Sequence, residues 1–190
     1  FTLVFAYTWS STTQQQKLVA SDAQAGDRFG YSTSISGDTV VVGAYAEDTG
    51  GADAGAAYIF TRSGTTWSQQ AKLQASDKAA NDRFGWSVAI SGDTVVVGAY
   101  YEDTGGSNAG AAYVFTRSGT TWSQQQKIQS SDKAANDQFG SAVAIEDNTI
   151  IVGAHVEGGT GAAYVFTRSG TTWSQQQKIV ASDAQATDYF

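Results

Sequence analysis

Short stretches in which apolar and polar side chains alternate, broken by glycine and aspartate, run along almost the whole chain, and residues 85–130 show the pattern best. From Gly85 to Ser91, Trp86, Val88 and Ile90 alternate with Ser87 and Ala89, the period-2 signature of a half-buried strand. Thr94 to Ala99 carries the unbroken run Val95-Val96-Val97, which predicts a strand buried on both faces. Ala111 to Arg117 alternates Tyr113 and Phe115 with Ala112 and Val114. Trp122 to Ser130 sets Trp122 and Ile128 against Ser123, Gln125 and Lys127, and its glutamines and lysine suit an outer edge strand that must not pair with strangers. Gly92-Asp93 and Ser118-Gly119-Thr120 predict tight hairpins, whereas Tyr101 to Ala109 and Ser131 to Asp137 are longer connections. No segment shows the 3.6-residue period of a long helix.

This four-strand unit recurs. Phe29-Gly30, Phe84-Gly85 and Phe139-Gly140 repeat every 55 residues, as do Gly43-Ala44-Tyr45, Gly98-Ala99-Tyr100 and Gly153-Ala154-His155. A third marker, Gly55-Ala56-Ala57-Tyr58, returns at Gly110 and again at Gly161, where one loop is four residues shorter. The chain therefore divides into a partial repeat over residues 1–28 (two last strands and a connector), full repeats over 29–83 and 84–138, and a third over 139–190. Leu3-Val4-Phe5 aligns with Tyr113-Val114-Phe115, so the apolar N-terminus reads as a repeat strand. A first residue other than Met, and Phe190 standing where the next Phe-Gly is due, fit an excerpt of a longer array.

The longer connection after each fourth strand has a geometric meaning. Crossing a four-stranded sheet takes three spacings of about 4.8 Å, which Ser131 to Asp137 spans easily. Each unit thus hands the chain from its outermost strand to the innermost strand of the next, as in a β-propeller.

Phe-Gly, then Val-Val-Val-Gly-Ala, then Gly-Ala-Ala-Tyr-Val-Phe, in fixed order over essentially the whole chain, resembles the FG-GAP repeat. That resemblance implies an all-β array of propeller blades, each of four antiparallel strands. About 3.5 blades are present, an incomplete set alone, so the chain is expected to self-associate or to belong to a longer array. Such repeats form the propeller of integrin α-subunits and occur in many surface and secreted proteins, which implies an extracellular or cell-surface setting and a role in adhesion or ligand binding. Two departures matter. Tyr45, Tyr100 and His155 replace the family's Pro after Gly-Ala, and the short Ser36-Gly37-Asp38 turn replaces the usual Asp-x-Asp-x-Asp-Gly calcium loop, so the family's calcium does not carry over to that turn.

Charge changes the picture at one end of the blades. Formal net charge is −7, and the eleven Lys and Arg are spread singly, so no basic stripe neutralises phosphates and nucleic acid is excluded as a partner. No apolar run reaches the length of a membrane span. Fourteen of the eighteen acids fall in the longer connections, all at one end of the array. This predicts an acidic recognition face for a protein or glycan partner, with Glu47, Asp48, Asp53, Glu102, Asp103, Asn108, His155 and Glu157 as its candidate residues. Turn chemistry also selects Asp unaided. Glu47, Asp48, Asp53, Glu102 and Asp103 supply hard oxygens of the kind Ca²⁺ takes, but match no established calcium spacing; no other cofactor is expected.

Other repeated residues read as structural. Phe29, Phe84 and Phe139 are expected to wedge between blades, Gly30, Gly85 and Gly140 to allow close backbone approach, and the preceding Asp to tie down the connector. Trp67, Trp122 and Trp173 are expected in core or semi-core positions, with Thr12 replacing this Trp in the first copy. Catalysis has little basis. His155 is the sole histidine, cysteine is absent, and near-identical copies provide no differentiated pocket. The sequence thus points to a binding module, with a structural self-assembling subunit such as a dimer-closed propeller, filament or coat component as the alternative.

Overall fold

A computed structural model describes residues 14–185 and 187–188. The strand expected at Leu3-Val4-Phe5, the Thr12 substitution and Phe190 lie outside these residues, and residues 14–20 form no strand.

Twelve strands make three four-stranded antiparallel sheets, with no closed ring among the described residues. The first sheet holds β1 (Thr33–Ser36), β2 (Thr39–Ala44), β3 (Ala56–Ser63) and β4 (Thr66–Leu73). The second holds β5 (Ser87–Ser91), β6 (Thr94–Ala99), β7 (Ala111–Ser118) and β8 (Thr121–Ile128). The third holds β9 (Phe139–Glu146), β10 (Thr149–Ala154), β11 (Ala162–Ser169) and β12 (Thr172–Ile179). Within each, spatial order follows chain order, because only hairpins and loops link neighbouring strands. Among the described residues the one helical element is a single 3-10 turn at Glu157–Gly159, in the shortened loop.

The sheets stack face to face in chain order, and the core lies between them. Val41, Ile59 and Leu73 of the first sheet meet Val95, Val97, Tyr113 and Phe115 of the second. Val96, Val114 and Ile128 of the second meet Ile150, Val152, Tyr164 and Phe166 of the third. Val95, Val96 and Val97 are fully buried, as the unbroken run requires, since successive side chains enter two different cores.

One expectation is corrected here. The alternation in Gly85–Ser91 predicted a half-buried strand, yet β5 is covered on both faces, with Ala89 and Ser87 buried beside Val88 and Ile90. The middle sheet has a neighbour on each side. The alternation shows itself in β9, where Val143 and Ile145 are half-buried and Ala142 and Ala144 are exposed.

The Phe-Gly motif locks one blade to the next. Phe84 and Phe139 are fully buried and Phe29 is half-buried, each ring meeting the Tyr and Phe of its own third strand edge-on, as Phe84 meets Tyr113 at 5.5 Å. The Phe84 amide donates to the Ala54 carbonyl of the preceding unit, and the Phe139 amide to that of Ala109. Gly85 and Gly140 have φ of 91° and 93°, a region L side chains rarely adopt. Their carbonyls lie so close to Gly43 and Gly98 that a Cβ on either would overlap them, while Ser32 and Ser87 hydroxyls donate to the same two oxygens.

Candidate functional site

At the tight-turn end, Asp38 pairs with Arg62 and Asp93 with Arg117, while Arg168 donates to Asn148. These contacts pin adjacent hairpins of one sheet. The Ser36-Gly37-Asp38 turn offers one carboxylate, already bonded to Arg62, and so does not fit the calcium of the family's acidic loop.

The long-loop end separates the acidic residues into two groups. Glu47 and Glu102 turn inward and are buried. In the second unit Lys127 Nζ lies 2.7 Å from Glu102 Oε1 and 2.7 Å from Asp77 Oδ2 of the preceding connector, and the Tyr113 hydroxyl donates to Asp77 Oδ1. The first unit repeats the lysine contacts as Lys72 with Glu47 and Asp22, and the third as Lys178 with Glu157 and Asp132. Burial alone would raise the Asp77 carboxyl, but Lys127 and Tyr113 hold it below its ordinary value. Asp27, Asp82 and Asp137 are also buried, each accepting a hydrogen bond from the amide three residues back, the connector tie their position suggested. Burial raises the Asp82 carboxyl to about 6, against that amide bond.

The second group stays at the surface. Asp48 and Asp103 are exposed and accept from the Asp53 and Asn108 amides, so that each acid shapes its own loop. His155 is half-buried beyond β10, and burial lowers its pKa. Among the described residues no group of three or more His, Asp or Glu converges to hold a metal ion, and the weak calcium candidates are not brought together.

Between these loops lies a feature that the strand-by-strand reading missed. Tyr31 and Trp86, which follow Phe-Gly, meet Tyr45 and Tyr100, which follow Gly-Ala. Ring centroids are 4.6 Å apart for Tyr31–Tyr45, 4.5 Å for Tyr31–Trp86 and 4.4 Å for Trp86–Tyr100, and Tyr101 extends the ladder at 4.0 Å. Arg83 sits against it with its guanidinium carbon 4.6 Å from the Tyr101 centroid, its Nη1 donating to the Tyr100 hydroxyl. Such contacts are favourable through both π-face charge attraction and stacking. The ladder begins at exposed Tyr31 and ends at the third unit, where Ser141, His155 and Val156 replace the rings. Its signal was an aromatic after both Phe-Gly and Gly-Ala in two consecutive repeats.

Of the repeated tryptophans, Trp173 is buried and Trp67 and Trp122 are half-buried. Each indole lies against the arginine of its own hairpin.

Radially stacked four-stranded sheets, locked through Phe-Gly and ending in one face of long loops, define a set of propeller blades. A family model for the FG-GAP repeat matches residues 12–60, 67–115 and 122–166, well over half of the sequence, and the chain belongs to the FG-GAP repeat family. The second and third matches start in the fourth strands β4 and β8, and all three close in a third strand, so the family frame begins one strand earlier than the Phe-Gly count. No curated protein matches the sequence.

Proposed function

We infer that the chain is an extracellular or cell-surface module that binds a protein or glycan ligand, and so serves adhesion, through its long-loop face. The observation that carries this reading is the aromatic ladder from Tyr31 to Tyr101, with the exposed acids Asp48 and Asp103 in the loops that follow Tyr45 and Tyr101. Rings offer stacking area to a sugar or an apolar side chain, and carboxylates beside them accept hydrogen bonds from hydroxyls or attract basic groups. The role is recognition rather than catalysis, since the repeated units present no differentiated set of acid, base and nucleophile.

The test is binding of the purified chain to a printed array of defined saccharides and to immobilised matrix proteins such as collagen and fibronectin. Binding to one class, weakened at least tenfold by Tyr31→Ala without change in melting temperature, is the expected outcome. No binding to either panel, or binding indifferent to both Tyr31→Ala and the double change Asp48→Asn, Asp103→Asn, contradicts it.

A further inference from the structure

Each unit places one arginine at the tight-turn end, and the third of them stands in a different setting. Arg62 and Arg117 donate from Nε to Asp38 and Asp93 of their own hairpins, at 2.8 and 2.7 Å, and pair with the same carboxylates through Nη2. The third unit carries neutral Asn148 at this place, and its Oδ1 accepts from Arg168 Nε at 2.8 Å. Among the described residues Arg168 forms no ion pair, and its Nη2 makes no hydrogen bond. The acid of this turn sits one residue earlier, at Asp147, where the other units have Gly37 and Gly92; its φ is 49°, and its amide donates to Ser91 Oγ of the second sheet. The Arg168 guanidinium is nonetheless held in place. Nη1 donates to the buried Thr94 hydroxyl of the second sheet at 3.4 Å, and the guanidinium carbon lies 5.3 Å from the Trp173 ring centroid.

Arg168 lines a recess of about 520 Å³ between the second and third sheets, together with Arg117, Thr94, Thr116, Asp93 and Asp147. Its volume falls within the range of about 300–1,000 Å³ usual for small-ligand pockets. A guanidinium that lacks its carboxylate is a planar donor shaped to take one from a ligand. Asp93 and Asp147 repel a doubly charged anion such as sulfate or phosphate, but they accept hydrogen bonds from hydroxyl groups, and the threonine hydroxyls can donate or accept. We propose that this recess binds a sugar acid, a ligand with a single carboxylate and several hydroxyls. Its carboxylate lies on Arg168, and its hydroxyls bond to Asp93, Asp147 and Thr116. This site is at the opposite end of the blades from the aromatic ladder and is independent of ligand binding there.

The test is titration of the purified chain with sodium glucuronate, followed by calorimetry and by the Arg168 Nε–H resonance, which is assigned by its loss in Arg168→Gln. Methyl glucoside, which has the hydroxyls without the carboxylate, and inorganic sulfate, which has charge without hydroxyls, are titrated separately. Glucuronate is expected to shift the Arg168 resonance and to bind at least tenfold more tightly than either comparison compound. Arg168→Gln should weaken glucuronate at least tenfold. Asn148→Asp restores the pairing of the first two units, so it should weaken glucuronate equally without lowering Tm, and it carries the test should Arg168→Gln fail to fold. Tyr31→Ala should leave glucuronate binding unchanged, which separates this site from the aromatic ladder. Absence of glucuronate binding, binding matched by methyl glucoside or sulfate, or binding indifferent to Asn148→Asp overturns the proposal.

Discussion

The indole Nε1 of Trp173 donates a 3.0 Å hydrogen bond to the side-chain oxygen of Gln125, a residue of the neighbouring sheet. Gln125 is the residue that the β7–β8 register skips, since Val114 pairs with Gln126 and Phe115 with Gln124. A bulge of this type re-aims a side chain while keeping the ladder on either side. The preceding unit skips Gln70, whose side chain accepts from Trp122 Nε1 at 2.8 Å. Gln126 adds a second link, donating to the Trp173 carbonyl and accepting from its amide. The Gln-rich fourth strand thus joins consecutive blades.

Ala71 stands where Gln126 stands in the next unit, and the Trp122 backbone consequently lacks this clamp. Ala71→Gln is expected to supply it and to stabilise the chain by about 1 kcal/mol, the usual net value of such hydrogen bonds, raising Tm by roughly 2–4 °C. A melting curve unchanged or lowered by this substitution contradicts the assigned role of the glutamine clamp.

The buried connector acids give stability a definite pH slope. Burial pushes Asp82 up to about 6, with repulsion from Glu102, Asp103 and Asp77 adding to it, and raises Asp137 in the same sense. A carboxyl whose folded pKa exceeds its unfolded value of about 3.8 contributes stability that is full below pH 3.8 and is lost as pH rises through about 6. The lowered acids Asp22, Asp77 and Asp132 act in the opposite sense, but only below pH 3.8. Between pH 4.5 and 7.5, the Asp82 contribution to the unfolding free energy from urea titration should therefore fall by up to about 2 kcal/mol, opposed in the same window by His155, whose lowered pKa adds stability as pH rises. Asp82→Asn, which keeps an acceptor for the Ala79 amide, should remove the Asp82 part of the slope. A slope identical in the variant would assign the effect elsewhere.

The repeat period, the order of four strands within a unit and the buried valine run were readable from residue spacing, because they depend on periodicity within a unit; the fourth strand expected ahead of the first full unit was not, since residues 14–20 form no strand. The bulge at Gln125 was not, since an extra residue in Gln-Gln-Gln changes no polarity pattern. Glu47 and Glu102 looked like surface acids because loops are ordinarily solvated. Their burial depends on Lys72 and Lys127, which reach them across the sheet from the fourth strand. The aromatic ladder was hidden for a similar reason, as Tyr31 and Trp86 belong to different units and meet only after blades stack.

That stacking is most directly tested at two equivalent glycines. A Cβ at Gly98 runs into the Gly140 carbonyl and the Ser87 hydroxyl, whereas one at Gly153 comes no closer than 3.3 Å to Ala142 and 3.7 Å to the Ser141 hydroxyl. Gly98→Ala should cost about 1–3 kcal/mol, as overpacking of a filled interface does. Gly153→Ala should stay within about 0.5 kcal/mol, the range of a surface change. Thermal unfolding of both variants decides the matter. A clear drop in Tm for Gly98→Ala alone is the predicted result; equal drops, or none, would contradict blades locked through the Phe-Gly backbone.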